Sequence, residues 1–380
     1  MTDAKGKKGL IAEELVRAYF LLAGFYVVRG VPLKFSSMDL TDIDVWVYER
    51  SATLARRRTI IDIKDKRAPQ AAERLFFVTG LATTIGVEGA GVATSDTRPA
   101  LRELARKHKL IWIDGKDLAR LKSSRRVAEL DRLTDEEFTQ ILAAFDSDRG
   151  RKYIQNHFLS VKSSVGDRFG ISSANTALDT FQILARDLLS SHPNSAAATT
   201  LGRVCYYSAS IAAASFDFSS ADTALRPTQE RIKEVARAIR FGTGSANTLE
   251  KIEWARRAIR EYVTNGTGVA EEFQRKISAA FDSIKSEGLA EVVVKLSNSD
   301  KLFNIARSLE SAAYQPSTPS FDNLGPDEKA FVGALLDFSE IERVKFAKSW
   351  VNSVTPVEIT RRFNVSEPDQ QNDEHQEVLL

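Results

Sequence analysis

Two stretches carry the side chains best suited to chemistry. Thr41-Asp-Ile-Asp-Val45 offers Asp42 and Asp44, and Ile60-Ile-Asp-Ile-Lys-Asp-Lys66 offers Asp62, Lys64 and Lys66. In both, β-branched residues alternate with the charged ones: Ile43, Val45 and Val47 in the first, Ile61 and Ile63 in the second. A period of two with this composition predicts half-buried strands whose charged residues share a face. The segment between them, Glu49 to Arg58, has little apolar pattern and ends in Arg56-Arg57-Arg58, which suits a hairpin centred near residue 53. That register sets Asp44 opposite Asp62 and Asp42 opposite Lys64, with paired Cβ atoms roughly 4.5–5.5 Å apart. Two opposed carboxylates repel. A divalent cation between them removes the conflict, because Mg²⁺ takes oxygen ligands and is commonly held by one or two carboxylates plus substrate phosphate. Asp-x-Lys alone could equally be an amphipathic strand turning its polar side to water.

The element that must sit beside these strands precedes them. Leu10, Ile11, Leu15, Ala18, Tyr19 and Leu22 recur at helical spacing, and Gly24 falls where a helix would stop. Glu13 and Glu14 lie near its first turns. They either complement the helix dipole or, in the case of Glu13, aim at the carboxylate face as a further metal or water ligand.

Gly9-x-x-Ala12-Glu13, Ala23-Gly24-Phe25-x-Val27-Val28, Ile43-Asp44-Val45 and Asp62-Ile63-Lys64 follow one another in this order. Together they resemble the PD-(D/E)xK nuclease superfamily, in particular its restriction-endonuclease-like branch with Mrr-type enzymes and archaeal Holliday-junction resolvases. Downstream, a helix near 70–85, a strand Gly91-Val-Ala-Thr-Ser95, a helix 98–107 and a strand Leu110-Ile-Trp-Ile-Asp114 continue the likeness, which covers roughly residues 6–122. The chain has Asp62 where the superfamily more often has Glu, and Ile43 where many members have Pro. The resemblance implies an α/β restriction-endonuclease-like domain, a central mixed sheet flanked by helices, and metal-dependent hydrolysis of nucleic acid.

Phosphodiester hydrolysis needs a nucleophilic water and stabilised charge on phosphate and leaving oxygen, and a bound Mg²⁺ serves both. Asp44 and Asp62 would hold the metal, with Glu13 and the Ile63 carbonyl completing its shell; Mn²⁺ should substitute. Lys64 would orient or deprotonate the water and steady the developing charge. Lys66, Gln70 and Asp42 are further candidates for substrate contact, Asp42 also as an alternative ligand.

Composition narrows the setting. The 380 residues are 43% hydrophobic and 27% charged with a net charge of +2, as expected of a soluble protein of more than one domain. Residues 1–120 hold 21 Lys and Arg against 15 Asp and Glu, an excess that suits a phosphate backbone. The single Cys205 excludes an internal disulfide and any Cys-cluster zinc site, fits a reducing cytoplasm and reads as a core thiol. No apolar run is long enough to span a bilayer. The four histidines are scattered and no phosphate-binding Gly-rich loop with Lys is present, which disfavours His-metal, Ser-His-Asp and nucleotide chemistry.

From Lys122 onward apolar residues recur at three and four, as in Phe138, Ile141, Leu142 and Phe145, and predict an all-α helical region. The expected division is a nuclease domain 1–122, a helical recognition or oligomerisation domain 123–314, a small helical unit 315–365 and an acidic disordered tail 366–380. Arg226, Arg231, Lys233, Arg237, Arg240, and Arg256, Arg257, Arg260 form basic rows, either solvated helix faces or nucleic-acid contacts. The expected activity is Mg²⁺-dependent endonucleolytic cleavage of DNA, in bacterial defence or the processing of unusual DNA structures. One site cuts one strand, so double-strand cleavage implies a homo-oligomer or a partner protein through the helical region. The alternatives are a nucleic-acid-binding or assembly protein that keeps the nuclease fold without catalysis, and a metal-dependent RNA nuclease.

Overall fold

The computed structural model describes residues 3–35, 38–65, 70–147, 150–242 and 245–350. Helix α1 (Asp3–Leu22) leads into β1 (Tyr26–Phe35), β2 (Met38–Arg50) and β3 (Arg56–Lys64), then α2 (Ala71–Ile85), β4 (Gly89–Thr94), α3 (Pro99–Lys107), β5 (Ile111–Ile113) and α4 (Gly115–Ser123). The five strands form one mixed sheet in the order β1-β2-β3-β4-β5. The first three are antiparallel and the last two run parallel to β3. The β2–β3 pairing runs from Arg50–Arg56 to Val45–Ile61, a hairpin about residue 53 as assumed, and the ladder ends short of the expected pairs Asp44–Asp62 and Asp42–Lys64.

The alternation in the strands separates the two faces. Val27, Val45, Val47, Ile61, Ile63, Ala93 and Ile113 turn to one side and pack with Ala12, Val16 and Phe20 of α1 and Leu118 of α4. Leu10 and Ile11, the first of the apolar residues at helical spacing in α1, are exposed. Leu15 and Ala18 pack with Val127 in the short helix α5 (Arg125–Ala128). Helix α2 packs on β3 and β4. β4 admits close neighbours because it is built of small residues: a Cβ on Gly91 would lie 2.7 Å from Ile111 Cβ and 2.8 Å from Ile61 Cδ1.

The remainder is helical: α6 (Asp135–Ser147), α7 (Tyr153–Arg168), α8 (Ile171–Ser190), α9 (Ala196–Ser220), α10 (Thr228–Phe241), α11 (Ser245–Tyr262), α12 (Gly266–Asp282), α13 (Ser286–Ser297), α14 (Lys301–Tyr314), α15 (Pro326–Phe338) and α16 (Arg343–Lys348). By packing the chain divides into two units, one of residues up to 167 with 310–318, the other of 168–309 with 319–352. The division therefore falls at 167 and within α14, and not where strand-like texture ends at 122. Helices α15 and α16 pack on α8 inside the second unit and do not stand as a unit of their own. There α9 is buried along nearly its whole length, Cys205 included, and burial pushes that thiol far up. No helix among the described residues is long and apolar enough to cross a membrane. The tail 366–380 lies outside the described residues.

The first unit is held across its length by buried charge. Arg17, 1% exposed, reaches Glu310 at 2.9 Å and Asp135 at 3.3 Å, and its guanidinium lies 4.1 Å over the Tyr314 ring. Asp135 also accepts from Tyr314 Oη at 2.6 Å and pairs with Lys162, while Glu310 pairs with Arg132 at 2.6 Å. Burial would push the Asp135 carboxyl up, but Lys162, Arg17 and Arg29 outweigh it and hold the group well below the usual carboxylate range. Removing one partner of a buried set strands the other charge, which typically costs about 3–5 kcal/mol. Glu310→Ala should therefore destabilise the first unit by about that much, read from the shift of its denaturant midpoint relative to the native chain. An unchanged midpoint would show that these charges contribute nothing net.

Candidate active site at the strand junction

Continued by one rung past Val45–Ile61, where the β2–β3 ladder ends, the register would set Asp44 beside Asp62. At that point Asp44 Oδ2 accepts a hydrogen bond from the Ile63 backbone N–H at 2.6 Å. On the β1 side, Gly30 falls opposite Asp44, between the pairs Arg29–Val45 and Val31–Ile43. Its φ of +59° is the left-handed conformation that glycine adopts without steric cost. The two carboxylates thus occupy neighbouring strands with no bulky residue at the register position beside Asp44.

Asp62 alternates with Ile61 and Ile63, whose side chains belong to the core on the α1 side, so it faces α2. Arg74 of α2 meets it there: Nε reaches Oδ2 at 2.6 Å and a terminal guanidinium nitrogen reaches Oδ1. The fork engages both oxygens of a carboxylate that is only 8% exposed. Lys64 lies two residues further on the same face, half-buried, and no carboxylate among the described residues pairs with its ammonium. Glu13 contributes to the negative charge felt by Asp44, but one of its oxygens is held by Arg29 at 2.7 Å. Arg29 also holds Glu14 at 2.8 Å and Glu136 at 2.7 Å, which fixes it in place.

Asp42 is exposed on β2 beyond the β2–β3 ladder, opposite Pro32 of β1. Gln70 stands exposed at the N-terminus of α2, where its side chain makes no capping bond and its carbonyl accepts from Arg74 N. Lys66 lies outside the described residues. Of the basic rows, Arg231 is buried and bonded to Ser297 and Asn298, Arg226 pairs with Glu234, Arg240 with Glu287 and Arg256 with Glu253. Much of that positive charge is spent inside the second unit.

Arg74 and Arg29 escaped the sequence reading. Arg29 had a signal, a lone charge inside the apolar run from Tyr26 to Val31. Arg74 had a weaker one, a cation in the first turn of the helix that follows the second acidic strand.

Among the described residues Arg74 pairs with Asp62 and Arg29 with Glu13, whereas Asp44 accepts from the Ile63 N–H and feels Arg74 only through its charge. Burial pushes the Asp44 carboxyl up first of all, the charges of Glu13 and Asp62 add to it, and the result is about 7. Burial likewise outweighs Arg29 at Glu13 and raises that group. Among the described residues no group of three or more His, Cys, Asp or Glu side chains comes together as a metal cluster. The donor set that remains, two hard carboxylates with a deficit of positive charge, fits a divalent cation such as Mg²⁺ that keeps several waters and shares phosphate oxygens.

The raised Asp44 group has a consequence for stability. The native state retains a proton there up to about pH 7 while the unfolded chain releases it near 4. The native state therefore binds more protons in that window, so stability falls as pH rises from about 4 to about 7, by up to about 1.4 kcal/mol per unit, and levels off above. Asp44→Asn should remove this slope and be more stable than the native chain at pH 8, as followed by urea unfolding across the window. A variant as steep as wild type would exclude Asp44 as the source. Comparison of the chain with protein-family models, with curated proteins and with solved structures finds no match.

Proposed function

We propose that the first unit is a metal-dependent endonuclease of the PD-(D/E)xK type, restriction-endonuclease-like in fold, that hydrolyses phosphodiester bonds of DNA. The observation that carries this reading is the junction itself, with Asp44 and Asp62 on adjacent strands and Lys64 two residues beyond Asp62 on the same face. Asp44 and Asp62 would hold Mg²⁺, which when bound supplies charge stabilisation at the phosphate and the leaving oxygen. The Ile63 N–H fixes one Asp44 oxygen and so aims the other. Lys64, free of any described carboxylate, is available to orient the attacking water and to steady charge as it develops on the phosphate. Glu13, held by Arg29, adds negative charge beside Asp44 and is better placed to tune that group than to ligate.

One observation favours a second reading, a nucleic-acid-binding protein that retains this fold without turnover. Both oxygens of Asp62 are engaged by Arg74, and among the described residues no third acid joins the pair in a metal-holding group.

Cleavage of plasmid, linear, branched and single-stranded DNA, with an RNA control, in Mg²⁺ or Mn²⁺ separates the two. The expected outcome is metal-dependent cutting of DNA that falls by at least about 100-fold in Lys64→Ala, the scale seen when a charge-stabilising group is removed, and that is lost in Asp62→Ala. Retained binding with no metal-dependent product on any substrate would favour the second reading. Preferential loss of the RNA control would transfer the chemistry to RNA.

A further inference from the structure

We infer that Arg74 is a displaceable counter-ion, which holds Asp62 closed in the free protein and exchanges it for the oxygens of a phosphodiester when a divalent cation takes its place. This rests on the metal-dependent reading of the same junction. Three features support it.

The first is the mode of contact. Arg74 spans both oxygens of Asp62, so a cation cannot use that carboxylate until the guanidinium leaves. The second is charge. Among the described residues Arg74 is the cation paired with this couple of acids, and a divalent ion resting on Asp44 and Asp62 supplies all the positive charge the couple requires. The guanidinium is then in surplus. The third is its destination. A guanidinium fork suits phosphate as well as it suits carboxylate, so the released group has an equivalent partner in the substrate.

The local scaffold suits such an exchange. Arg74 extends from the first turn of α2, its side chain is 24% exposed, and its guanidinium lies 4.1 Å over the Phe77 ring. A flat aromatic surface supports the planar group in more than one rotamer while its far edge stays open to a ligand. Neither the backbone of α2 nor that of β3 has to move. Coupling follows from competition for one carboxylate. Phosphate that engages Arg74 frees Asp62 and strengthens cation binding, and by linkage the cation strengthens phosphate binding by the same factor.

The test is Mn²⁺ binding to the full chain at pH 8 by titration calorimetry, in the absence of nucleic acid, for wild type, Arg74→Ala, Arg74→Gln and Asp62→Asn. Both Arg74 variants are expected to bind Mn²⁺ at least tenfold more tightly than wild type, and Asp62→Asn to lose binding. In the Lys64→Ala background, addition of a short DNA duplex should tighten Mn²⁺ binding several-fold, and Arg74→Gln should abolish that gain. Arg74→Gln retains a polar side chain of similar length and guards against a result due to misfolding of the alanine variant. Asp62-dependent binding that is no tighter in either Arg74 variant would overturn the exchange and leave the metal-dependent reading intact. Absence of Mn²⁺ binding in every form, with and without duplex, would overturn both.

Discussion

A sheet does not carry two acids on adjacent strands without something to balance them. At the β2–β3 junction the balance is incomplete, and the surrounding structure is arranged around that fact. Arg74 arrives from α2 to match Asp62, and the Ile63 N–H arrives from β3 to hold Asp44. Even so Asp44 retains its proton to about pH 7. Such a residual conflict is costly in a purely structural setting, and proteins tolerate it chiefly where function requires it.

Behind the junction lies a second, more extensive layer of paired charge. Arg29 joins Glu13, Glu14 and Glu136, and Arg17 joins Glu14, Asp135 and Glu310. Glu14 is the hinge between the two sets, since it contacts both arginines and also accepts from Asp135 N at 3.1 Å. Burial would raise its carboxyl, yet Arg17 and Arg29 prevail and lower it. Neighbouring residues of one helix therefore have opposite fates: Glu14 is held ionised by two arginines, and Glu13 is pushed toward its neutral form beside Asp44. This layer ties α1 to Arg29 of β1 through Glu13 and Glu14, and to Asp135 and Glu310 through Arg17.

Much of the sheet domain was legible because its signals are local. The period-two runs placed β2 and β3, the featureless segment ending in three arginines placed the hairpin, and Gly24 marked the end of α1. The register of β2 on β3 from Val45–Ile61 to Arg50–Arg56 followed from turn position alone. What was not legible depends on residues far apart in sequence. The partners of Arg17 lie 118 and 293 residues away, and no spacing rule reaches so far. Leu10 and Ile11 fit the apolar spacing of α1 but are exposed, and the positions facing the sheet belong to Ala12, Val16 and Phe20. The basic row on α10 read as a surface feature, whereas Arg231 is buried against α13 and its C-cap. In each case tertiary pairing reassigned a residue whose type was read correctly.

The distance between Arg17 and Glu310 also sets an order of events during synthesis. At about 5–20 residues per second, Glu310 emerges roughly 7–30 s after residue 167. Throughout that interval Arg17 lacks one of its two long-range acidic partners and Asp135 lacks the Tyr314 hydroxyl, so the N-terminal sheet domain waits, incompletely closed, while the whole of 168–309 is made. The intervening helices can collapse on local contacts as they appear. The first unit is thus left open until 310–318 is made, and until then its unfinished interior is the surface that a nascent chain of this protein has to shield.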